Sequence, residues 1–160
     1  MSEASSKSPI LRIALWEPEI PPNTGNVARL CAGTGAELHM IGKLGFRLDD
    51  ASLRRAGLGY WSQLNVQFHA NLEVFEQRLT GVRLFAFSAR VTRSYTQIQY
   101  MRGDCLVFGA ESRGLPREFI ERMQDRAVCV PMPAGIVRSL NLSTTVGIAA
   151  YEALRQTEGW

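Results

Sequence analysis

The chain has 160 residues, 46% of them hydrophobic and 21% charged, with a formal net charge of +3. Those values suffice for one domain with its own core and exclude a collagenous or disordered chain that cannot bury one. A sequence pI of about 9.0 suits a polyanionic partner, although a plain solubility charge accounts for it equally well.

In chain order, residues 1–10 read as a disordered N-terminal tail without the apolar core of a signal peptide, and residues 11–160 as one domain. Leu11–Trp16 reads as a buried strand that stops at Glu17-Pro18. Pro18, Pro21 and Pro22 impose an extended loop, after which Asn23 or Thr24 caps a helix that runs to about Thr34 and is ended by Gly33 and Gly35. Glu37–Ile41 is a second strand, and Gly42–Leu48 a loop carrying Lys43 and Arg47. Asp49 and Asp50 start a short helical segment ending at Gly57. Asn65–His69 is a third strand, and Leu72–Leu79 has helical spacing. Val82–Phe87, Asp104–Phe108 and Ala127–Val130 are further strands, with a helix opened by Pro116 between the last two. Leu142–Gln156 is a long amphipathic helix. Near-continuous apolar strands alternating with helices imply an α/β domain, a single parallel sheet flanked by helices on both faces. No apolar run approaches the ~20 residues of a membrane span.

Several familiar sites are absent from this pattern. Gly33-Thr34-Gly35 ends a helix and lacks the third glycine of a dinucleotide fingerprint. Gly109 to Gly114 has P-loop spacing, but Leu115 stands where the lysine must be. His39 and His69 lie in or beside strands without ligand-spaced partners, so they read as structural and metal catalysis has no support. Cys31, Cys105 and Cys129 form no C-x-x-C pair and sit among apolar neighbours, as small buried hydrophobes in a reducing, cytoplasmic compartment.

Three loops exceed what a connector needs. Pro18–Asn26, with Arg29 one helical turn on, offers the amides of Asn23 and Asn26 and a guanidinium fork at a helix N-terminus, where anions bind well. Phe108–Pro116 follows a buried strand and brackets Glu111 and Arg113 with Gly109 and Gly114, which let backbone approach a ligand. Val130–Val137 is long, apolar and rich in Pro and Gly, and Arg138–Ser143 follows it. Its backbone suits a neutral adenine and a sulfonium, and Asn141 or Ser143 can cap the last helix. Arg90, Arg93 and Arg102 interleave with Tyr95 and Tyr100, and Arg54 pairs with Arg55. Arginines among aromatics can stack on splayed RNA bases, though a solvated basic face explains them as well.

The segments PEIPPNTGNVAR (residues 18–29), RRAGLGY (54–60), FGAESRGLP (108–116), Pro131-Met132, RSLNLS (138–143) and YEALRQ (151–156), in that order, resemble the motifs of the SPOUT superfamily of RNA methyltransferases. The match is closest to the small tRNA (cytidine/uridine-2′-O)-methyltransferase family that acts at the wobble position, and it spans about Ile13 to Gln156. The chain departs from that pattern at Gly59, often Asp, at Val137, commonly Ser, and in a Met132–Arg138 loop one residue longer. The resemblance implies an α/β knot with a deep C-terminal trefoil. It also implies a homodimer packed through the C-terminal helix and the N-terminal motif region. The implied reaction is methylation of a ribose 2′-hydroxyl in the tRNA anticodon stem-loop, in leucine isoacceptors. The donor is S-adenosyl-L-methionine, which leaves as S-adenosyl-L-homocysteine, and neither metal nor membrane takes part. Carried over by position, Phe87, Gly109, Glu111, Val130, Met132, Ser139 and Leu140 bind the cofactor. Arg29, Ser139 and Asn141 form the catalytic set, and Asn26, Arg29, Arg54, Arg55, Arg90, Arg93 and Arg138 the RNA-contacting one. Arginine is a poor base, so Arg29 is expected to orient phosphate and hydroxyl while a phosphate oxygen takes the proton. The competing readings are the same chemistry on ribosomal RNA, an RNA-binding module without catalysis, and a small-molecule α/β enzyme. The last lacks both a nucleotide fingerprint and a catalytic His or Cys pattern.

Overall fold

The computed structural model describes residues 8–48, 51, 55 and 58–160. Strands β1 (Arg12–Trp16), β2 (Glu37–Ile41), β3 (Val66–His69), β4 (Leu84–Phe87), β5 (Cys105–Phe108) and β6 (Ala127–Val128) pair in parallel, in the order β3-β2-β1-β5-β4-β6. The helices are α1 (Pro21–Thr34), α2 (Leu72–Arg78), α3 (Arg117–Met123) and α4 (Leu142–Glu158). Alternation along each strand divides the core in two. Ile13, Leu15, Leu38, Met40, Phe85, Phe87, Leu106 and Phe108 pack with Val27, Cys31 and the buried stripe of α4. Ala14, Ile41, Ala86, Cys105 and Val107 pack with Phe75 of α2 and Phe119 and Met123 of α3. Every residue of β2, β4 and β5 is buried, because helices cover both faces. In α4 the buried positions Val146, Ala149, Ala150, Ala153 and Leu154 follow the helical period, and three alanines let its axis approach the sheet closely. Among the described residues no helix is long and apolar enough to cross a membrane.

The strand order runs outward from β1 in both directions, so the connection from β3 to β4 changes sides of the sheet. The crevice beside such a reversal, at the carboxyl ends of the strands, is where open α/β sheets hold ligands.

Most element boundaries differ from the sequence reading by one or two residues, and four differences have a local cause. Helix α1 starts at Pro21 and not at Asn23 or Thr24; Pro21 and Pro22 fill its first positions, where a missing N–H costs nothing, and Ile20 precedes it without a side-chain cap. Gly33 lies inside the helix, and the left-handed Gly35 closes it by donating to the Cys31 carbonyl. β6 is two residues long because the backbone of Cys129 turns instead to Arg93 and Tyr95, with N–O distances of 2.8 and 2.9 Å. Pro116 stands just outside α3 as its cap residue. The helical segment read over 49–57, the Arg54 site and the tail over 1–7 lie outside the described residues, except for residues 51 and 55.

A buried polar chain crosses β2 and β3. His69 Nε2 and His39 Nδ1 are 2.8 Å apart, and His39 Nε2 is 2.7 Å from Glu37 Oε1. Glu37 also accepts from Asn65 and Gln67, and Arg12 stands beside it. With both rings neutral, one ring nitrogen donates to the other across the 2.8 Å contact, and His39 Nε2 faces the Glu37 carboxylate. Burial, then the neighbouring His69, Arg12 and Arg78, hold the His39 pKa down to about 3; burial and Arg78 lower that of His69. The unfolded chain binds protons at these rings below the ordinary 6.5 and the folded chain does not, so stability is complete above that value and falls on acidification. Burial raises the pKa values of Glu37 and Asp104, so the folded chain takes up these protons before the unfolded chain does and offsets part of the loss above their ordinary values of 4.5 and 3.8. The loss sets in below 6.5, at about 1 kcal/mol per pH unit for His39. Denaturant midpoints measured at pH 7.5, 6.0 and 5.0 test this; a flat profile contradicts it.

Candidate active site

The loops after β1, β4, β5 and β6 converge at the carboxyl edge of the sheet around a cleft of about 870 Å³. Phe87 and Phe108, at the ends of β4 and β5, stack at 4.7 Å between centroids and line it. Gly109 follows directly. A Cβ there would lie 2.1 Å from the Gly114 carbonyl carbon and 2.2 Å from the Leu115 nitrogen. The glycine therefore serves the loop's own closure and not, as the sequence suggested, only the approach of a ligand. Residues 110–114 double back, with Gly114 donating to the Ala110 carbonyl at 2.7 Å and adopting a φ of 67°.

That hairpin bonds residue by residue to the loop after β1. The Glu111 carboxylate accepts from the backbone N–H groups of Glu19 (2.7 Å) and Ile20 (3.1 Å) and from the Asn23 amide (3.2 Å). A carboxylate on these donors, beside the positive end of a 14-residue helix, is doubly favoured. Ser112 donates to Glu19 through hydroxyl and backbone N–H, which holds the Glu19 carboxyl below the usual carboxylate range. Arg113 donates to Glu17 at 2.9 Å and lies 4.9 Å over the Trp16 ring.

Asn23 joins these loops to the third. It is 5% exposed, and its Oδ1 accepts from Asn141 Nδ2 at 3.0 Å. Asn141 in turn caps α4, accepting from Ser143 and Thr144 N–H groups at 3.0 and 3.3 Å. An unbroken hydrogen-bonded chain thus links Glu111, Asn23, Asn141 and the start of α4.

Glu17 has a φ of 46°, a left-handed conformation that costs a non-glycine residue roughly 1–2 kcal/mol. Gly42 makes room for it: a Cβ at Gly42 would stand 2.8 Å from Glu17 Cγ. An exposed ion pair returns no more than about 1 kcal/mol, so the Glu17–Arg113 contact does not recover that cost through stability.

All seven residues expected to bind the cofactor line the cleft: Phe87, Gly109, Glu111, Val130, Met132, Ser139 and Leu140. So do Asn141, Arg90 and Arg138. Arg29 and Asn26 do not; both are exposed on α1 outside the cleft of their own chain. Arg55 is exposed elsewhere, and Arg93 sits beside Asp125 at 3.9 Å, away from the cleft. The sequence reading missed Asn23 as the hub and Arg113 as an ordered lip residue. The double proline before Asn23, read as a helix start, would have placed Asn23 inside α1. The cleft falls in the range of small-ligand sites. Its apolar Phe87, Val130, Leu140 and Leu142, with Ser88, Ser139 and Arg138 at the polar rim, fit a ligand with a flat heteroaromatic ring and a charged amino-acid end. Among the described residues no cluster of His, Cys, Asp and Glu could hold a metal ion.

Residues 10–151 match the model of the SpoU rRNA Methylase family. The chain is 47% identical to the tRNA (cytidine(34)-2′-O)-methyltransferase of Saccharophagus degradans, over 92% of this chain and 96% of that protein. A solved structure described as giving insights into the 2-OH methylation of C/U34 on tRNA superposes with a TM-score of 0.89 at 47% identity, covering 96% of this chain and all of that one. An AdoMet-bound rRNA methyltransferase from Sinorhizobium meliloti superposes with a TM-score of 0.82 at 28% identity, covering 93% of this chain and 57% of that one.

Proposed function

We propose a wobble-position reaction from one premise: this chain belongs to the SpoU rRNA Methylase family. It is an enzyme that transfers the methyl group of S-adenosyl-L-methionine to the ribose 2′-hydroxyl of nucleotide 34, a cytidine or modified uridine, in tRNA. The observation that carries the choice of RNA is the near full-length similarity, at 47% identity, to a protein named for that reaction. Leucine isoacceptors are the proposed substrates. The cytoplasm is the proposed compartment, in keeping with a tRNA substrate and with Cys31, Cys105 and Cys129 all unpaired.

The cofactor supplies an electrophilic methyl group when bound. Phe87, Val130 and Leu140 would hold its ring in the apolar part of the cleft, and the Glu111–Asn23–Asn141 chain fixes three of the four loops around that space. Ser139, exposed and without a partner among the described residues, is free to meet the incoming ribose. The Arg29 guanidinium orients the substrate's phosphate and hydroxyl, while a phosphate oxygen takes the proton. Because Arg29 stands outside its own cleft, we assign it to the cleft of a second copy in a two-fold dimer. The surface beside α1 and α4 supports that packing, since Ile20, Tyr151 and Trp160 leave apolar area uncovered. The trefoil belongs to the same proposal. The loop 88–104 is bonded to the chain at Cys129 before the 130–141 passage, and at Gln156 after it.

The test is methylation of total tRNA and ribosomal RNA in parallel, with the product nucleotide mapped by mass spectrometry. Methyl on the ribose of nucleotide 34 is expected; label confined to ribosomal RNA overturns the assignment. Arg29→Ala is expected to retain S-adenosylhomocysteine binding and to lose on the order of 100-fold in kcat; unchanged turnover removes Arg29 from the mechanism. Native mass measurement should give twice the 17.8 kDa chain, and a monomer rules out a partner-supplied arginine.

A further inference from the structure

Arg113 is ordered from three sides although its side chain is 55% exposed. Its guanidinium lies over the Trp16 ring at the end of β1, its Nη2 donates to Glu17, and its carbonyl accepts from Arg90 Nη2 at 2.6 Å. Glu17 reaches it only from a left-handed backbone, in the space that Gly42 leaves open. An exposed ion pair does not repay that conformation through stability, and strain of this kind points from the outlier to a function. The arrangement gives a planar cation with one face on an indole, one edge on Glu17 and more than half of the side chain exposed, at the lip of the cleft that the reacting nucleotide must enter. Bases splayed from single-stranded RNA loops stack on just such guanidinium planes.

We propose that Arg113, seated on Trp16 and locked by Glu17, is a stacking ledge for the nucleobase next to the methylated nucleotide, an inference that rests on the RNA-methyltransferase reading above. Glu17 is then a positioning residue. A stacking role differs from a phosphate contact in needing the flat face and not merely the charge, so lysine cannot replace this arginine.

The experiment uses the full chain with three anticodon stem-loops: the native one, and two in which the base 5′ or 3′ of the reacting nucleotide is removed to leave ribose alone. RNA affinity and KM are measured for wild type, Arg113→Ala, Arg113→Lys and Glu17→Gln, with S-adenosylhomocysteine affinity as the control on cleft integrity. With native RNA, Arg113→Ala and Arg113→Lys should each weaken binding about tenfold, the scale of one base stack. Glu17→Gln should give a smaller loss in the same direction. With one of the two base-less RNAs the wild type should lose a similar factor and the Arg113 variants nothing further. Full rescue by lysine would reassign Arg113 to a phosphate contact and overturn the proposal. Losses that simply multiply with both base-less RNAs would also overturn it. A wild type that binds the stem-loop without methylating it sinks the reaction assignment while leaving the stacking coupling measurable. A wild type that does neither sinks both.

Discussion

Gly109→Ala is expected to abolish cofactor binding. The added methyl has no space to take: its carbon would stand 2.1 and 2.2 Å from backbone atoms of Gly114 and Leu115. These are atoms of one peptide unit, which cannot swing aside as the end of a flexible side chain can. The hairpin over residues 110–114 must open, breaking the bond from Gly114 N–H to the Ala110 carbonyl. Glu111 and Ser112 then leave their partners on the loop after β1, so the loss spreads beyond one turn. Overpacking of this kind costs about 1–3 kcal/mol and sometimes more. Calorimetry with S-adenosylhomocysteine should show affinity reduced more than about 100-fold, and melting should show a lower midpoint. A useful contrast is Gly33→Ala, on the exposed side of α1 with no atom within 4 Å of the new methyl. There the alanine should stabilise the helix by about 0.5–1 kcal/mol. Wild-type cofactor affinity in Gly109→Ala would mean that the doubled-back hairpin is not what shapes the cleft.

Glu111→Ala should be nearly as damaging by a different route. One carboxylate satisfies the N–H groups of Glu19 and Ile20 and the amide of the buried Asn23. Hydrogen bonds to a charged group contribute about 1.5–3 kcal/mol each before solvent screening, and a donor left buried without a partner carries a further penalty. Partial exposure of Glu111 discounts the sum to about 3 kcal/mol. The functional loss should be larger than the stability loss alone would give. Asn23 also holds Asn141, and Asn141 sets the start of α4, so three of the four loops around the cleft loosen together. Misplacement by about 1 Å costs on the order of 100-fold in rate. We expect kcat/KM to fall by at least that factor at a temperature where the variant remains folded. Glu111→Gln keeps the shape but offers an amide to donors, so it should fall between the two. Activity within threefold of wild type in a folded Glu111→Ala would remove the chain as a positioning device.

Much of this architecture was legible in the sequence, and the illegible parts share a cause. Runs such as CLVF and LFAF announce strands buried on both faces, and the spacing of Val146, Ala149, Ala150, Ala153 and Leu154 announces a helix stripe. The three unusual loops were visible as loops, and they do converge on the cleft. What each side chain does there was not visible, because its partner lies far along the chain. Glu111 finds Asn23 at a separation of 88 positions, and Asn141 finds the same residue at 118. Local signals even mislead: Asn23 is an excellent capping residue, and only the prolines before it show that the helix has already begun. β6 is short for a similar reason, since Cys129 is drawn from β4 to the bend at Arg93 and Tyr95. The left-handed Glu17 carries no sequence mark, because nothing about a glutamate announces φ above zero.

Gln156 lies near the end of the chain, yet its side-chain amide spans the loop between β4 and β5, donating to the Ile98 carbonyl and accepting from Tyr100 N–H. The loop is therefore fastened at that end only after α4 has docked, although all six strands precede α4 in the chain. The methyl-donor site is thus closed by contacts of high sequence separation, and its closure is expected late in folding.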